Sequence, residues 1–523
     1  MYSKYLSTWL LGITLFVGYK TSSQPLSFKN DIDSSQKRNF HTAFKNPLEQ
    51  ATCNFESNSN ATNKKWWLRK LFYEHLVEVT HPDYTFNFDF LPDWQIGHEF
   101  DEVIKTTWLN TRAFQIDGSL GKKLKFYSFF SENQGIYPNY LQQYIANNQI
   151  VPGQGQAHPS TQTSVGANVA DFANSEAYIC YAVNRYIDAE LGYGRNFIGD
   201  GYRSLLLSNG TLSYPYLKIE AHAGRLHYTA MWAQMIDQLP IATLDTAYGR
   251  KNAVFHYLDW RVTPSFKIGF FENVIYRNVN VDKSYRGFDW AYANPLVFLR
   301  PVEYALGSDD KMSLGLNSSY EFKHVIFYGQ FLLNEFNAKD FFSNNGSYRN
   351  KYAYQIGGKC INWLGIKNLT FLLEFNTATP FTYSARIPTI NYAHYNQPLA
   401  HPLGGNFREI VNRINYQWKR WETNIELLYA YYGLDKNGFN YGHDIYKPYT
   451  TAVQLYGNYI GQGLSTTLYY GDIKSAYLIN PKTNLRLELN ITYRDETNTE
   501  FKHRDFFFSI GLRSSFRTFY YDF

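Results

Sequence analysis

The chain has 523 residues, 44% hydrophobic yet with a mean hydropathy of −0.41, and a formal charge of +5 spread without any Lys/Arg-rich run. That slight excess of charge gives no footprint for nucleic acid, and Cys53, Cys180 and Cys360, odd in number and far apart, make neither a disulfide framework nor a zinc pattern. The 46 Tyr, 40 Phe and 11 Trp are the composition of alternating strands with aromatic girdles rather than of a Leu/Ile core.

Met1 to Tyr5, the apolar run from Leu6 to Val17, and small residues Thr21 and Ser23 before Gln24 predict a signal peptide over 1–23. The apolar run is too short to span a membrane as a helix. Residues 24–63, rich in Ser, Asn, Gln and Lys, read as a periplasmic leader. Leu68, Leu71, Phe72, His75, Leu76 and Val79 recur at spacings of three and four, which predicts an amphipathic helix packed against a barrel base and closing the region 24–80.

From residue 81 to Phe523 the period is two. Tyr84, Phe86, Phe88 and Phe90 alternate with Thr85, Asn87 and Asp89. Hairpins are predicted for Arg112 to Ser119 with Leu124 to Glu132 across Gly121, for Tyr216 to His222 with Leu226 to Trp232 across Gly224, and for Val254 to Val262 with Phe266 to Val274 across Pro264. Another joins Ile414, Tyr416 and Trp418 to Ile425, Leu427, Tyr429 and Tyr431 around Arg420. Leu485, Leu487, Leu489, Ile491 and Tyr493 alternate with Arg486, Glu488, Asn490, Thr492 and Arg494 over the length of a tilted membrane strand. Short turns alternate with the long polar stretches 137–170, 278–310 and 377–409, expected as periplasmic turns and extracellular loops. The fold class is therefore all-β: a closed antiparallel transmembrane barrel of about 16 to 20 strands in the outer membrane, with lipid as one partner. A large soluble all-β domain is the alternative. The terminal aromatic Phe523 is expected to close the last strand as an assembly address.

Two segments break the alternation. In Gly192 to Ser208 the glycines lack dinucleotide-loop spacing, so close backbone packing is expected, with Arg195, Asn196, Asp200 and Arg203 pairing across the lumen or touching a ligand. The second runs through Pro380 to Ser384 and Asn391 to Glu409. Its Tyr392, His394, Asn396, His401, Asn406, Arg408 and Glu409 combine rings, amides and a charge pair, which suits stacking on a sugar and bonding its hydroxyls. His394 and His401 lack a recognised metal-ligand spacing, so no metal is expected. Glu220, Glu272, Glu303 and Glu374 are expected to face a polar lumen rather than to form a glycosidase pair. No G-x-S-x-G nucleophile and no cofactor motif occurs, so the chain is expected not to be an enzyme.

The stretch from Gly192 through Ser204-Leu205-Leu206-Leu207-Ser208-Asn209 to Tyr216 resembles the glycine-rich stretch of the Wzi-type capsule assembly family. The Asn391 to Glu409 loop is similar to the Bacteroidota branch of gliding-motility, RemB-like proteins. The resemblance runs from the Trp66 helix to Phe523 and implies an outer-membrane barrel of about 18 strands with a small periplasmic helical part. It implies a surface lectin holding capsular polysaccharide, or a gliding component that works with adhesin or motility-machinery proteins. No capsule-binding residue of the family maps onto a residue of this chain. The alternatives are a porin-like channel and a secreted all-β carbohydrate-active enzyme.

Overall fold

A computed structural model describes residues 65–100, 105–159, 169–237, 248–279, 284–335, 338–343, 345–514 and 520–523. The expected signal peptide and leader fall in residues 1–64, outside the described residues. The main sheet has 20 strands, two of them short additions at Val77–His81 and His158–Pro159. The other eighteen form a closed antiparallel barrel, each paired to its neighbour, from Tyr84–Phe100 to Lys502–Ser514. The seam pairs Asp93 with Arg513 and runs to Phe100 opposite Phe506. Arg513 grips Asp93 with two parallel bonds of 2.9 Å and Glu488 at 2.6 Å, so the closure carries a bidentate ion pair on its inner face.

Alternation sets the two faces. Outward Leu487, Leu489, Ile491 and Tyr493 are exposed, while Glu488, Asn490, Thr492 and Arg494 are buried inside. Outward Tyr84, Tyr181, Trp260, Tyr320, Trp418, Trp421 and Tyr477 ring the end closed by short turns such as 224–225 and 419–420. Outward Phe100, Tyr193, Tyr354, Tyr429, Tyr469 and Phe506 ring the other end, and aliphatics such as Leu217 and Leu316 lie between. Two aromatic girdles around an apolar band, on a sheet with no free edge, make this an outer-membrane barrel crossed by strands. None of the described helices is long and apolar enough to cross a membrane. The short-turn end is periplasmic and the long-loop end extracellular.

On the inner face, tyrosines lie over glycines of adjacent strands. A Cβ on Gly192 would stand 2.4 Å from the Tyr216 ring, and one on Gly357 would stand 2.4 Å from Tyr328. Each ring covers the gap while its hydroxyl reaches an inner carboxylate, Glu190 at 2.6 Å and Glu374 at 2.8 Å. This is one reason the chain is so rich in Tyr.

The four predicted hairpins are present with their turns. Three other expectations need correction. The helix ends at Phe72, because the Asp89 side chain takes the Leu76 N–H (2.8 Å) and His75 (2.5 Å), and Val77–His81 then pairs with Tyr84–Phe88. Asn480 bonds the Lys70 and Glu74 carbonyls and ties the helix to the base, but its Trp66, Trp67 and Leu71 are exposed rather than packed.

The stretch 284–310 is not a free loop: it is a strap across the outer wall. Outward Val254, Val274, Tyr276 and Met312 pack under Tyr292 and Leu299. Trp232 Nε1 donates to the Tyr292 carbonyl (2.9 Å), and outward Glu272 accepts from Leu299 N–H (3.2 Å) and pairs with His256 (3.1 Å). Glu272 therefore sits outside the lumen under the strap, and Glu303 lies on the strap helix Leu299–Leu306, paired with Arg300. Glu220 and Glu374 face inward. Finally, the last strand ends at Ser514 rather than at Phe523, and Tyr520–Phe523 lie inside the barrel.

Candidate functional site

After the strand Ile187–Gly194 the chain turns into the lumen and descends toward the periplasmic half. Gly201 allows this approach: a Cβ there would meet Glu374 Oε2 at 2.2 Å. Glu374 instead accepts the N–H groups of Tyr202 (2.8 Å) and Arg203 (3.0 Å). Asp200 reaches Lys267 (2.8 Å) and Asn317 (2.7 Å) on the wall. Arg203, fully buried, bonds Glu409 (3.1 Å) and Asp522 (2.8 Å), and the Tyr520 hydroxyl donates to the Tyr202 carbonyl (3.1 Å). Arg195 pairs with Glu176 at 3.2 Å, and Asn196 is buried beside it.

Residues 379–406 fold inward from the opposite wall and lie against this segment. Phe381, Tyr383, Tyr395, Asn396 and Asn406 all adopt positive φ, a concentration of strained backbone that the surrounding contacts hold in place. Tyr383 and Tyr392 stack at 5.7 Å, and their hydroxyls donate to the carbonyls of Leu205 (2.9 Å) and Leu206. Two buried wall lysines clamp the segment: Lys251 bonds Asn391 at its carbonyl (2.9 Å) and amide (2.6 Å), and Lys311 bonds the Ser384 carbonyl at 2.7 Å.

His394 Nδ1 accepts from the Ile236 N–H (3.0 Å), so its proton is on Nε2 and faces the Ser213 carbonyl at 3.2 Å. Burial pushes this imidazole down to about 3, and only the Ser213 carbonyl opposes that. His401 accepts the Leu403 N–H at Nδ1 (3.2 Å) and faces Glu409 at 2.7 Å. Burial lowers its pKa as well, against the pull of Glu409. Asn406 Nδ2 donates to the carbonyls of Gly433 (2.9 Å) and Gln462 (3.1 Å), and its Oδ1 accepts from Gly461 N–H (2.7 Å).

Of the seven residues singled out in the second segment, Tyr392, His394, His401, Asn406 and Glu409 are therefore buried and engaged with other parts of the chain. Asn396 is half-buried. Arg408 is exposed on the outer face, at the extracellular rim.

The helix Asn139–Asn148 and the chain end also pack inside the barrel. Tyr140 donates to the Tyr521 carbonyl (3.0 Å), Phe523 lies 4.9 Å from the Tyr144 ring, and Arg494 donates to the Phe523 carbonyl (3.1 Å). An empty barrel of about 18 strands is wide enough for an aqueous channel. Here buried side chains of the inserted segments, Tyr202, Arg203, Leu205 and Tyr392 among them, occupy its middle.

Among the described residues, 345–350 and 435–463 build a cap on the outward end. Gly457 N–H donates to Asn345 O (2.8 Å), Asn458 N–H to Gly346 O (2.9 Å) and Tyr348 N–H to Leu455 O (3.0 Å). The cap rests on the inserted segment through Phe381 N–H to Gly442 O (2.9 Å) and His443 Nδ1 to Gly405 O (2.9 Å). It exposes Tyr456 (56%) and Tyr459 (63%) beside the amides of Gln454 and Asn458. Sequence reasoning missed these residues. Their signal is the same mixture of rings and amides that drew attention to 391–409.

No family model and no curated protein matches the sequence. Among solved structures, the chain is similar to Wzi of Escherichia coli, described as a carbohydrate-binding outer-membrane β-barrel involved in group 1 capsule assembly. The identity is 12%, the match covers 81% of this chain and 84% of that one, and the TM-score is 0.49. It is also similar to OprD of Pseudomonas aeruginosa, at 9% identity over 82% of this chain and 94% of that one with a TM-score of 0.44. OccAB2 of Acinetobacter baumannii matches at 10% identity over 82% and 97%, with a TM-score of 0.43.

Proposed function

We propose that the chain is a non-enzymatic outer-membrane barrel that engages surface or capsular polysaccharide on its extracellular cap, serving capsule attachment or gliding and adhesion. The observation that carries this reading is a platform of exposed rings beside the exposed Gln454 amide, stapled by backbone bonds over the inserted segments. Tyrosine faces stack on sugar C–H surfaces while amides bond hydroxyls, and a rigid support lowers the ordering cost of binding. In this reading Tyr392, His394, His401, Asn406 and Glu409 serve as the foundation under the platform. The resemblance of 391–409 to the gliding-motility branch supports a surface role of the same kind.

The test is retention of the purified chain on immobilised surface polysaccharide. Tyr456→Ala with Tyr459→Ala is expected to weaken retention about tenfold, the loss of one or two contacts of about 1 kcal/mol each. Undiminished retention by that variant, with its fold intact, removes the platform from the account. A second reading, a channel, is favoured by the width of the wall, and conductance separates the two.

A further inference from the structure

We propose that Glu220, His222 and His227 form a binding site for a divalent transition metal at the periplasmic mouth of the barrel. The strands Tyr214–Ala223 and Leu226–Asp237 are joined by the tight turn at Gly224, whose φ of +62° requires glycine. His222 stands directly opposite His227. The His222 N–H is spent on the carbonyl of Tyr186, just before the strand on the other side (2.8 Å), so this cross-strand pair is of the closer, non-hydrogen-bonded kind.

Both imidazoles project inward, stacked at 4.4 Å with only 4° between their planes, so their ring nitrogens present side by side. Glu220 is two residues back on the same face. One ligand atom from each of the three lies within 4.8 Å of the others.

Two observations point to a ligand. Glu220 is 3% exposed, and its buried Oε1 makes no hydrogen bond; His227 Nε2 is in the same condition. A buried carboxylate oxygen whose nearest charge, Lys218, stands beyond hydrogen-bond reach at 3.8 Å, and a buried imidazole nitrogen with no hydrogen bond, are costly unless something binds them. The local charge includes three carboxylates, Asp188, Glu190 and Glu220, around Lys218, which lies 3.1 Å from Glu190 and 3.8 Å from Glu220, with Lys267 as a second cation acting on His227. Asp188 Oδ2, 3.5 Å from His222 Nε2, holds that ring in place.

Two imidazoles and one carboxylate suit Zn²⁺, Ni²⁺ or Cu²⁺ rather than Mg²⁺ or Ca²⁺, and three protein ligands leave one position open. Metal–nitrogen bonds of about 2.0–2.1 Å put tetrahedral ligand atoms about 3.3 Å apart, so atoms within 4.8 Å of one another must close by up to about 1.5 Å. His222, exposed at the turn, makes that movement by giving up its 3.5 Å contact with Asp188.

The experiment is titration of EDTA-stripped, full-length protein in detergent with Zn²⁺ by calorimetry, and with Co²⁺ by visible absorption. One equivalent per chain is expected, with a Co²⁺ band in the visible. His222→Ala with His227→Ala is expected to weaken Zn²⁺ binding at least a hundredfold, and Glu220→Gln at least tenfold, both migrating on unboiled gels as the parent does. The proposal is overturned if the parent chain takes up no stoichiometric Zn²⁺. It is also overturned if the folded double-histidine variant binds Zn²⁺ as the parent does. If that variant does not fold, Glu220→Gln decides: unchanged binding rejects the site.

Discussion

Arg203 carries a positive charge to the middle of the lumen, where Glu409 and Asp522 meet it from the wall and from the chain end. Neither carboxylate has access to solvent, so the arginine holds together three stretches far apart in sequence. Arg203→Met leaves both acids buried without their counter-charge, and is expected to cost about 3–5 kcal/mol. The temperature at which the folded form disappears on unboiled gels should fall accordingly; an unchanged temperature would separate the ion pair from stability. His394 adds a dependence on pH. Its imidazole is held near 3 in the folded chain, against ~6.5 when unfolded. Between those values the unfolded state binds the extra proton, so stability falls as pH drops below about 6.5, and the loss is complete near 3. His401, lowered in the same direction, adds to it. Unfolding midpoints compared at pH 7.5 and 4.5 should show a smaller drop for His394→Gln than for the parent, and an equal drop would refute the assignment.

At the scale of elements, what was legible in the sequence followed from the period of two. Leu485 to Arg494 reads directly as one lipid-facing and one inward row, because lipid demands apolar groups while a polar interior tolerates Arg and Glu. The helix beginning at Trp66 was legible only at its start. Its apolar spacing continues to Val79, but the helix closes at Tyr73, and the chain after it is drawn to Asp89 of the first barrel strand, which accepts the Leu76 N–H. The long connections were the least legible. A segment rich in Tyr, Asn and His has the same composition whether it is solvated or packed against polar walls, and its partners lie far along the chain: Lys251 for Asn391, Leu206 for Tyr392. The strap went unseen for a related reason. Outward Asn252, His256 and Glu272 sit in rows that lipid should cover, and only the folded structure shows that 284–310 covers them instead. The strap's own far side exposes Trp290 (81%) and Tyr304 (80%) next to the lipid-facing band. In bilayers of brominated lipid, Trp290→Phe is therefore expected to remove a quenched component of the emission; identical quenching in parent and variant would place the strap away from the acyl chains.

For the whole molecule, wall and contents answer different demands. The wall is closed so that no strand edge faces lipid, and the Asp93–Arg513 grip secures the seam. The contents turn a cylinder of porin width into a solid support, with Glu374, Glu409 and Gln330 offering the wall-side ends of bonds that the inserted segments complete. Of the residues expected to meet sugar, five are buried beneath the surface, Asn396 is half-buried and Arg408 is exposed at the rim, while the cap above them carries exposed rings. Single-channel recording of the purified protein in a planar bilayer tests the filled lumen most directly. The account predicts no sustained opening at moderate voltage; a large, stable conductance of the kind given by an open barrel of this width would contradict it.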